Sequence, residues 1–174
     1  MIESENLKNV AVSEIMTRNV KTVKENESVR DACKLMYQEN VGSIVVLRKD
    51  TGIDETDPLA TSINNMLPMG IVTERDIARI AGFSNKSFAD MPVLEVMSQP
   101  LITINPAATI KDASYLMEQK DIRRLPIVDT KGQMIGIITA KDIFKPLMKI
   151  FKQVAKDKDI ISDGFDLLGL IGIE

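Results

Sequence analysis

One stretch of this chain occurs twice, and that repeat constrains the fold more than any other feature. Val12-Ser13-Glu14-Ile15-Met16 returns 81 residues later as Val93-Leu94-Glu95-Val96-Met97. At that offset, residues 12–47 match 93–128 at nine of 36 positions: Val12, Glu14, Met16, Thr22, Asp31, Ala32, Leu35, Met36 and Gln38. Most other pairs exchange one apolar residue for another, such as Ile15 for Val96 and Ile44 for Leu125. The offset then falls to 66, and Gly70-Ile71-Val72-Thr73-Glu74-Arg75-Asp76-Ile77 returns as Gly136-Ile137-Ile138-Thr139-Ala140-Lys141-Asp142-Ile143. The first copy therefore holds an insertion of 15 residues, between Asp50 and Leu67. A repeat of about 60 residues is too long for a solenoid unit. It suits a small unit that cannot bury its core alone. Two such units facing each other create a shared cleft, and ligands favour such clefts.

Both copies have the same predicted order of elements. Ser28 opens a helix with Val29, Ala32, Cys33 and Met36 on one face; Thr109 opens its counterpart with Ile110, Ala113, Ser114 and Met117. Short β-branched runs follow at 44–47 and 125–128 and are expected to be buried strands. Asp129-Thr130-Lys131-Gly132 predicts a turn into a strand over 134–138. In the first copy the same hairpin carries the insertion, whose polar, aperiodic sequence suits a solvated tip. Thr73 and Thr139 start a second helix in each copy. The expected fold class is α+β, with two repeated β-α-β-β-α units whose helices pack on one face of a small sheet.

The expected boundaries are a leader at 1–11, a first unit at 12–80, a connector at 81–92 and a second unit at 93–148. A C-terminal helix and apolar tail complete the chain at 149–174. The connector reads as a surface link. Pro146 lies deep in a helix begun at Thr139, so a kink or a fresh helix is expected there. Leu147, Ile150, Phe151 and Val154 form an apolar face beyond it. The tail, Leu167 to Ile173, is expected to pack on its own chain or on a second subunit.

Composition excludes several classes of function. The chain has no histidine and one cysteine, Cys33. A Ser-His-Asp or Cys-His arrangement is impossible, no zinc site is expected, and no carboxylate pair stands out. The expectation is no catalytic residue and no metal. A net charge of −3 argues against a general affinity for nucleic acid. The acidic start lacks the apolar core of a signal peptide. No apolar run reaches membrane-spanning length. One cysteine excludes an internal disulfide and suits a cytoplasmic protein.

The informative motif is Gly-apolar-apolar-Thr-x-x-Asp, at Gly70 to Asp76 and Gly136 to Asp142. A strand delivers the chain to a helix N-terminus, where unpaired N–H groups and the helix dipole favour an anion. Thr73 or Thr139 adds a hydroxyl. Asp76 or Asp142, one turn on, offers acceptors for ribose hydroxyls. Gly70 and Gly136 leave space for close approach. The same spacing is also a capping box, as it is at Ser28/Asp31 and Thr109/Asp112. Arg123 and Arg124 precede a buried strand, where they could reach phosphate oxygens. Their first-copy counterparts are Gly42 and Ser43, which carry no charge.

On these residues the chain resembles a tandem pair of CBS domains, the regulatory module also called a Bateman module. The resemblance covers about residues 10 to 148. It rests on the doubled Thr-x-x-Asp motif, the Val-x-Glu-apolar-Met opening and Arg123-Arg124-Leu125-Pro126-Ile127-Val128-Asp129. It implies a pseudo-twofold pair with sheets face to face and helices outside. It also implies two inter-unit clefts for adenosine compounds such as AMP, ADP, ATP or S-adenosylmethionine. One cleft would use Thr139, Lys141 and Asp142, with Arg123 and Arg124 near phosphate and Thr22, Val23 and Val41 around base and ribose. A weaker cleft would use Thr73, Arg75 and Asp76 with Thr103, Ile104 and Ile122.

The resemblance further implies a homodimer and an unidentified effector protein that reads a ligand-dependent change. The nucleotide would be a regulatory ligand, not a catalytic cofactor. The alternative is a ligand-free dimerisation scaffold in which the Thr-x-x-Asp motifs serve only as caps.

Overall fold

The computed structural model describes residues 9–49, 66–146 and 148. The elements run α1 (Val12–Ile15), β1 (Thr22–Lys24), α2 (Val29–Glu39), β2 (Ser43–Lys49), β3 (Met66–Thr73) and α3 (Glu74–Phe83). A 3-10 turn at Val93–Glu95 precedes α4 (Ile110–Gln119), β4 (Arg124–Val128) and β5 (Met134–Thr139). Residues 140–146 form a further helix, α5. The fold is mixed α+β with two sheets, ordered β1-β2-β3 and β4-β5. No helix among the described residues is long and apolar enough to cross a membrane.

Local chemistry explains most of these elements. α2 starts where the Ser28 hydroxyl accepts the Asp31 N–H, and α4 starts where Thr109 does the same for Asp112. Each occupied cap contributes about 1 kcal/mol. Three of the four residues predicted on each helix face are buried, Val29, Ala32 and Met36 on α2 and Ile110, Ala113 and Met117 on α4, while Cys33 is half-buried and Ser114 exposed. Both helices are followed by a left-handed residue at equivalent positions, Asn40 (φ 51°) and Asp121 (φ 49°). Asn and Asp tolerate that conformation better than bulkier residues. Between β4 and β5 the Asp129 carboxylate accepts the N–H groups of Lys131 and Gln133, and Gly132 supplies the positive φ of the turn.

The packing units are not the sequence repeats. The first core, built on β2 and β3, takes in Met91 from the connector and Val93, Val96 and Met97 from the second copy's opening. The second core, built on β4 and β5, takes in Val12 from the first copy's opening. Backbone bonds fix this exchange. The Val12 N–H donates to Ala108 O at 2.8 Å, and Thr17 and Ile137 exchange N–H···O bonds at 2.9 Å each. In mirror fashion the Val93 N–H donates to Glu27 O at 2.8 Å, and Ser98 pairs with Ile71. The short helical turns at Val12–Ile15 and Val93–Glu95 were not foreseen in the sequence, because three or four residues carry too little periodicity.

A second departure concerns the opening strand of each unit. β1 pairs with β2 in parallel over Thr22–Lys24, and the Val45 N–H donates to Lys21 O. The second unit keeps only a bridge between Ile104 and Ile127 in place of the expected strand. Pro126 stands where the first copy has Val45, and proline has no N–H to donate. The ladder therefore stops at the bonds from Ile104 N to Pro126 O and from Val128 N to Ile104 O.

Two further expectations change. α3 continues to Phe83, and the link beyond it, exposed over most of its length, is anchored at Phe88 and Met91. Met91 is buried, Phe88 packs on the first core, and their carbonyls accept the N–H groups of Val29 and Arg30. Residues 140–146 are helical without a break, so Pro146 does not open a fresh helix. The insertion lies outside the described residues apart from Met66 and Leu67, which open β3. The apolar face beyond Pro146 and the C-terminal tail also lie outside them.

Candidate functional site

Both Thr-x-x-Asp motifs form complete capping boxes at the end of a strand. At the first, the Thr73 N–H and hydroxyl donate to Asp76 Oδ2 at 2.9 and 2.6 Å, and the Asp76 N–H donates to Thr73 Oγ1. The Ser98 hydroxyl adds a bond to Asp76 Oδ1 at 3.2 Å, and Arg79 lies 3.5 Å from the same oxygen. Asp76 is the one buried charged residue among the described residues. That burial is tolerated because both carboxylate oxygens have donors. At the second motif, Thr139 donates its N–H and hydroxyl to Asp142 Oδ2 at 3.0 and 2.6 Å. Asp142 Oδ1 has Lys145 at 3.9 Å, too far for a hydrogen bond.

The two motif glycines serve packing, not ligand approach. A Cβ on Gly70 would meet the sulfur of Met97, and one on Gly136 would meet the sulfur of Met16. The methionine of each Val-x-Glu-apolar-Met opening thus rests on the glycine of the other copy. The expectation that these glycines leave room for a ligand is corrected: the space is filled by the exchanged segment.

A cavity of about 930 Å³ lies between the units at the first motif, within the range of small-molecule sites. Ile71, Pro100, Leu101, Ile102, Ile122 and Pro126 supply its apolar surface. Thr73, Glu74, Arg75, Asp76, Arg79, Ser98, Arg123 and Arg124 supply its polar surface. Four arginines against two carboxylates give the cavity a net positive lining.

This arrangement regroups the predicted residues. Thr73, Arg75, Asp76 and Ile122 line this one cavity. Arg123 and Arg124, expected beside Thr139 and Asp142, line this same cavity instead. The backbone of Arg124 is in register with Thr139. Its side chain, however, runs toward the first unit, with Nη2 3.9 Å from Glu74 Oε2. Backbone register therefore does not predict which site a long side chain serves. The cleft expected to be weaker is the one that holds the arginines.

Thr103 and Ile104 do not line the cavity; Pro100, Leu101 and Ile102 do so in their place. Ile104 is turned into the second core, and its counterpart Val23 is turned into the first. Strand alternation explains both: burial of Val23 between Thr22 and the exposed Lys24 assigns it to the core face. Thr22 is half-buried at the start of β1. Thr139, Lys141 and Asp142 line neither this cavity nor a smaller one of about 530 Å³. The smaller cavity takes in Val41 and Gly42 with Cys33, Met36, Tyr37, Asn40, Glu74, Ile77 and Ala78. Burial pushes the Cys33 thiol pKa above its usual 9.0, which disfavours the nucleophilic thiolate. Sequence reasoning missed Glu74, Arg79 and Ser98. Glu74 and Arg79 could have been found from α3 periodicity, one residue past Thr73 and one turn past Asp76. Ser98 required knowledge of the exchanged segment.

The family model described as CBS domain matches residues 12–82 and 93–149. The chain belongs to the CBS-domain family. It is 36% identical over 133 residues to the CBS domain-containing protein YhcV of Bacillus subtilis, covering 76% of this chain and 82% of YhcV. It is 33% identical over 139 residues to MK0525 of Methanopyrus kandleri, covering 80% of this chain and 63% of that protein. It spans 35% of the length of MJ1404 of Methanocaldococcus jannaschii. Among solved structures, a CBS-domain protein of Burkholderia ambifaria superposes with a TM-score of 0.65 at 28% identity. The match covers 80% of this chain and 95% of that one. The family matches follow the sequence repeats, whereas the cores of this CBS pair exchange their opening segments.

Proposed function

We propose that this CBS pair is a regulatory module that senses an adenosine nucleotide in the cavity at Thr73 to Arg79. The observation that carries this reading is the composition of that one cavity. An apolar surface at Leu101, Ile102 and Ile122 suits a purine ring, and a cluster of arginines suits phosphate. The Asp76 carboxylate and Thr73 hydroxyl lie at the helix start, one turn from Arg79. Relatives lend support. PAE2072 of Pyrobaculum aerophilum is complexed with AMP, and MJ0100 with 5′-methylthioadenosine and S-adenosyl-L-methionine. Those proteins are 22% and 21% identical and share the fold, so the ligand of this chain is argued from its own cavity.

The module acts as a binder rather than a catalyst, in the cytoplasm, as a homodimer coupled to a separate effector. Family relatives include longer enzymes, such as a homoserine O-acetyltransferase of Methanococcus vannielii, of which this chain matches 26% of the length. Ligand binding would bias the arrangement of the two units, because a ligand shifts only states that it binds unequally.

The scaffold reading is favoured by one observation. Both oxygens of Asp76 already accept protein donors, so a ribose must compete for them. Calorimetric titration with AMP, ADP, ATP and S-adenosylmethionine decides between the two. Expected is about one ligand per chain with Kd on the order of micromolar, weakened at least tenfold by Arg123→Ala. No heat with any of the four, in protein shown to be folded by circular dichroism, would leave the scaffold.

A further inference from the structure

The two Thr-x-x-Asp motifs differ at their second position. The first is Thr73-Glu74-Arg75-Asp76 and the second is Thr139-Ala140-Lys141-Asp142. Glu74 is the first residue of α3, and its carboxylate crosses to the second unit, 3.9 Å from Arg124 Nη2. The arginine and the acid therefore occur together in one cleft. At the equivalent place near the second motif, Ala140 and Ser43 supply neither.

Gly42 lies beside the meeting of these two side chains. A Cβ there would lie 2.5 Å from Glu74 Oε2 and 2.6 Å from Arg124 Nη2. Gly42 has no positive φ, so space rather than backbone conformation is what glycine supplies. The pair is unequal in its freedom. The Arg124 side chain is 28% exposed, whereas that of Glu74 is 73% exposed. An exposed carboxylate at this distance is weakly held and readily displaced. Of the other cavity arginines, Arg79 faces Asp76 at 3.5 Å, while Arg75 and Arg123 have no carboxylate within ion-pair distance among the described residues.

We propose that Glu74 is a specificity residue, a built-in competitor that occupies Arg124 until a ligand phosphate replaces it. The proposal rests on the nucleotide reading of the cavity and deepens it. Arg124 exchanges a distant carboxylate for a phosphate that can be held bidentately. Arg75 and Arg123 are already available to the same anion. The lining therefore favours phosphorylated adenosine compounds and disfavours S-adenosylmethionine, whose sulfonium and ammonium groups carry positive charge. A compound with one phosphate can be satisfied by Arg75 and Arg123. A compound with several phosphates must also displace Glu74, so Glu74 sets the cost of each added phosphate.

The test is titration of the full chain with ATP, AMP, S-adenosylmethionine and inorganic tripolyphosphate, for the native protein, Glu74→Gln, Arg124→Ala and the double variant. Glu74→Gln is expected to tighten ATP and tripolyphosphate about three- to tenfold at low salt and to leave S-adenosylmethionine within about twofold. The gain should vanish in the Arg124→Ala background, since the coupling belongs to the pair. ATP affinity unchanged by Glu74→Gln, or native binding of S-adenosylmethionine tighter than ATP, overturns the proposal. Tripolyphosphate binding that responds to Glu74→Gln, with no added affinity from adenosine, would retain the competitor role and sink the nucleotide reading. Equal binding of all adenosine compounds with no effect of Glu74→Gln would do the reverse.

Discussion

The two Thr-x-x-Asp corners of this molecule have the same local geometry and different surroundings. Thr73 and Thr139 both cap a helix, and both aspartates return the bond. Asp76 is then enclosed by Ser98 and Arg79, while Asp142 Oδ1 has Lys145 at 3.9 Å. Arg123 and Arg124 lie by the first corner and Gly42 and Ser43 at their equivalent positions. A repeated motif thus fixes a backbone shape, whereas the neighbours supplied by the other copy decide what that shape can bind. The capping box contributes stability at both corners, so its presence alone does not distinguish a binding site from a helix start.

The largest expected effect tests the exchange of opening segments. Val12→Ala and Val93→Ala each remove two buried carbons from a side chain with 0% exposure. Each should cost roughly 2 kcal/mol, the transfer loss plus a cavity contribution. Hydrogen exchange should show Val12→Ala loosening β4 and β5, and Val93→Ala loosening β2 and β3. Loosening confined to the repeat that carries the mutation would break the comparison, since it would mean that each copy packs on itself.

A smaller difference is expected between the two aspartates. Asp76→Asn should lower stability by about 2 kcal/mol, because a buried acceptor of several charge-assisted bonds is lost. Asp142→Asn should cost about 1 kcal/mol, the value of an ordinary cap. Urea midpoints of the two variants measure this, and equal shifts would remove the contrast between the corners.

The smallest effect concerns Pro126. Pro126→Val gives the second unit the N–H that Val45 uses on Lys21 O. The added bond is worth about 1 kcal/mol and is offset by the lost rigidity of proline in the unfolded chain, so stability should change by less than about 1 kcal/mol. The clearer readout is a protected amide at residue 126 and an extended pairing of 102–104 with β4. An unprotected amide would show that proline is not what shortens the strand.

The sequence by itself determined the local and the periodic. Spacing of Val29, Ala32 and Met36 sets the buried face of α2, because a helix repeats every 3.6 residues. Ser28, Thr73 and Thr109 mark helix starts, because their hydroxyls satisfy an N–H three residues on. The repeat announced two like units and the family to which they belong. The tertiary structure decided every contact made between the copies. The apolar residues of Val12–Met16 mark a segment for burial but not which core receives it, since both cores offer the same kind of surface. The side chain of Arg124 meets Glu74 at the first corner, although its backbone is in register with Thr139 at the second. Local bonds depend on neighbours in the chain and are written in order along it. Long-range contacts depend on which of two similar surfaces a segment meets, and a repeated sequence cannot distinguish the two until the chain has folded.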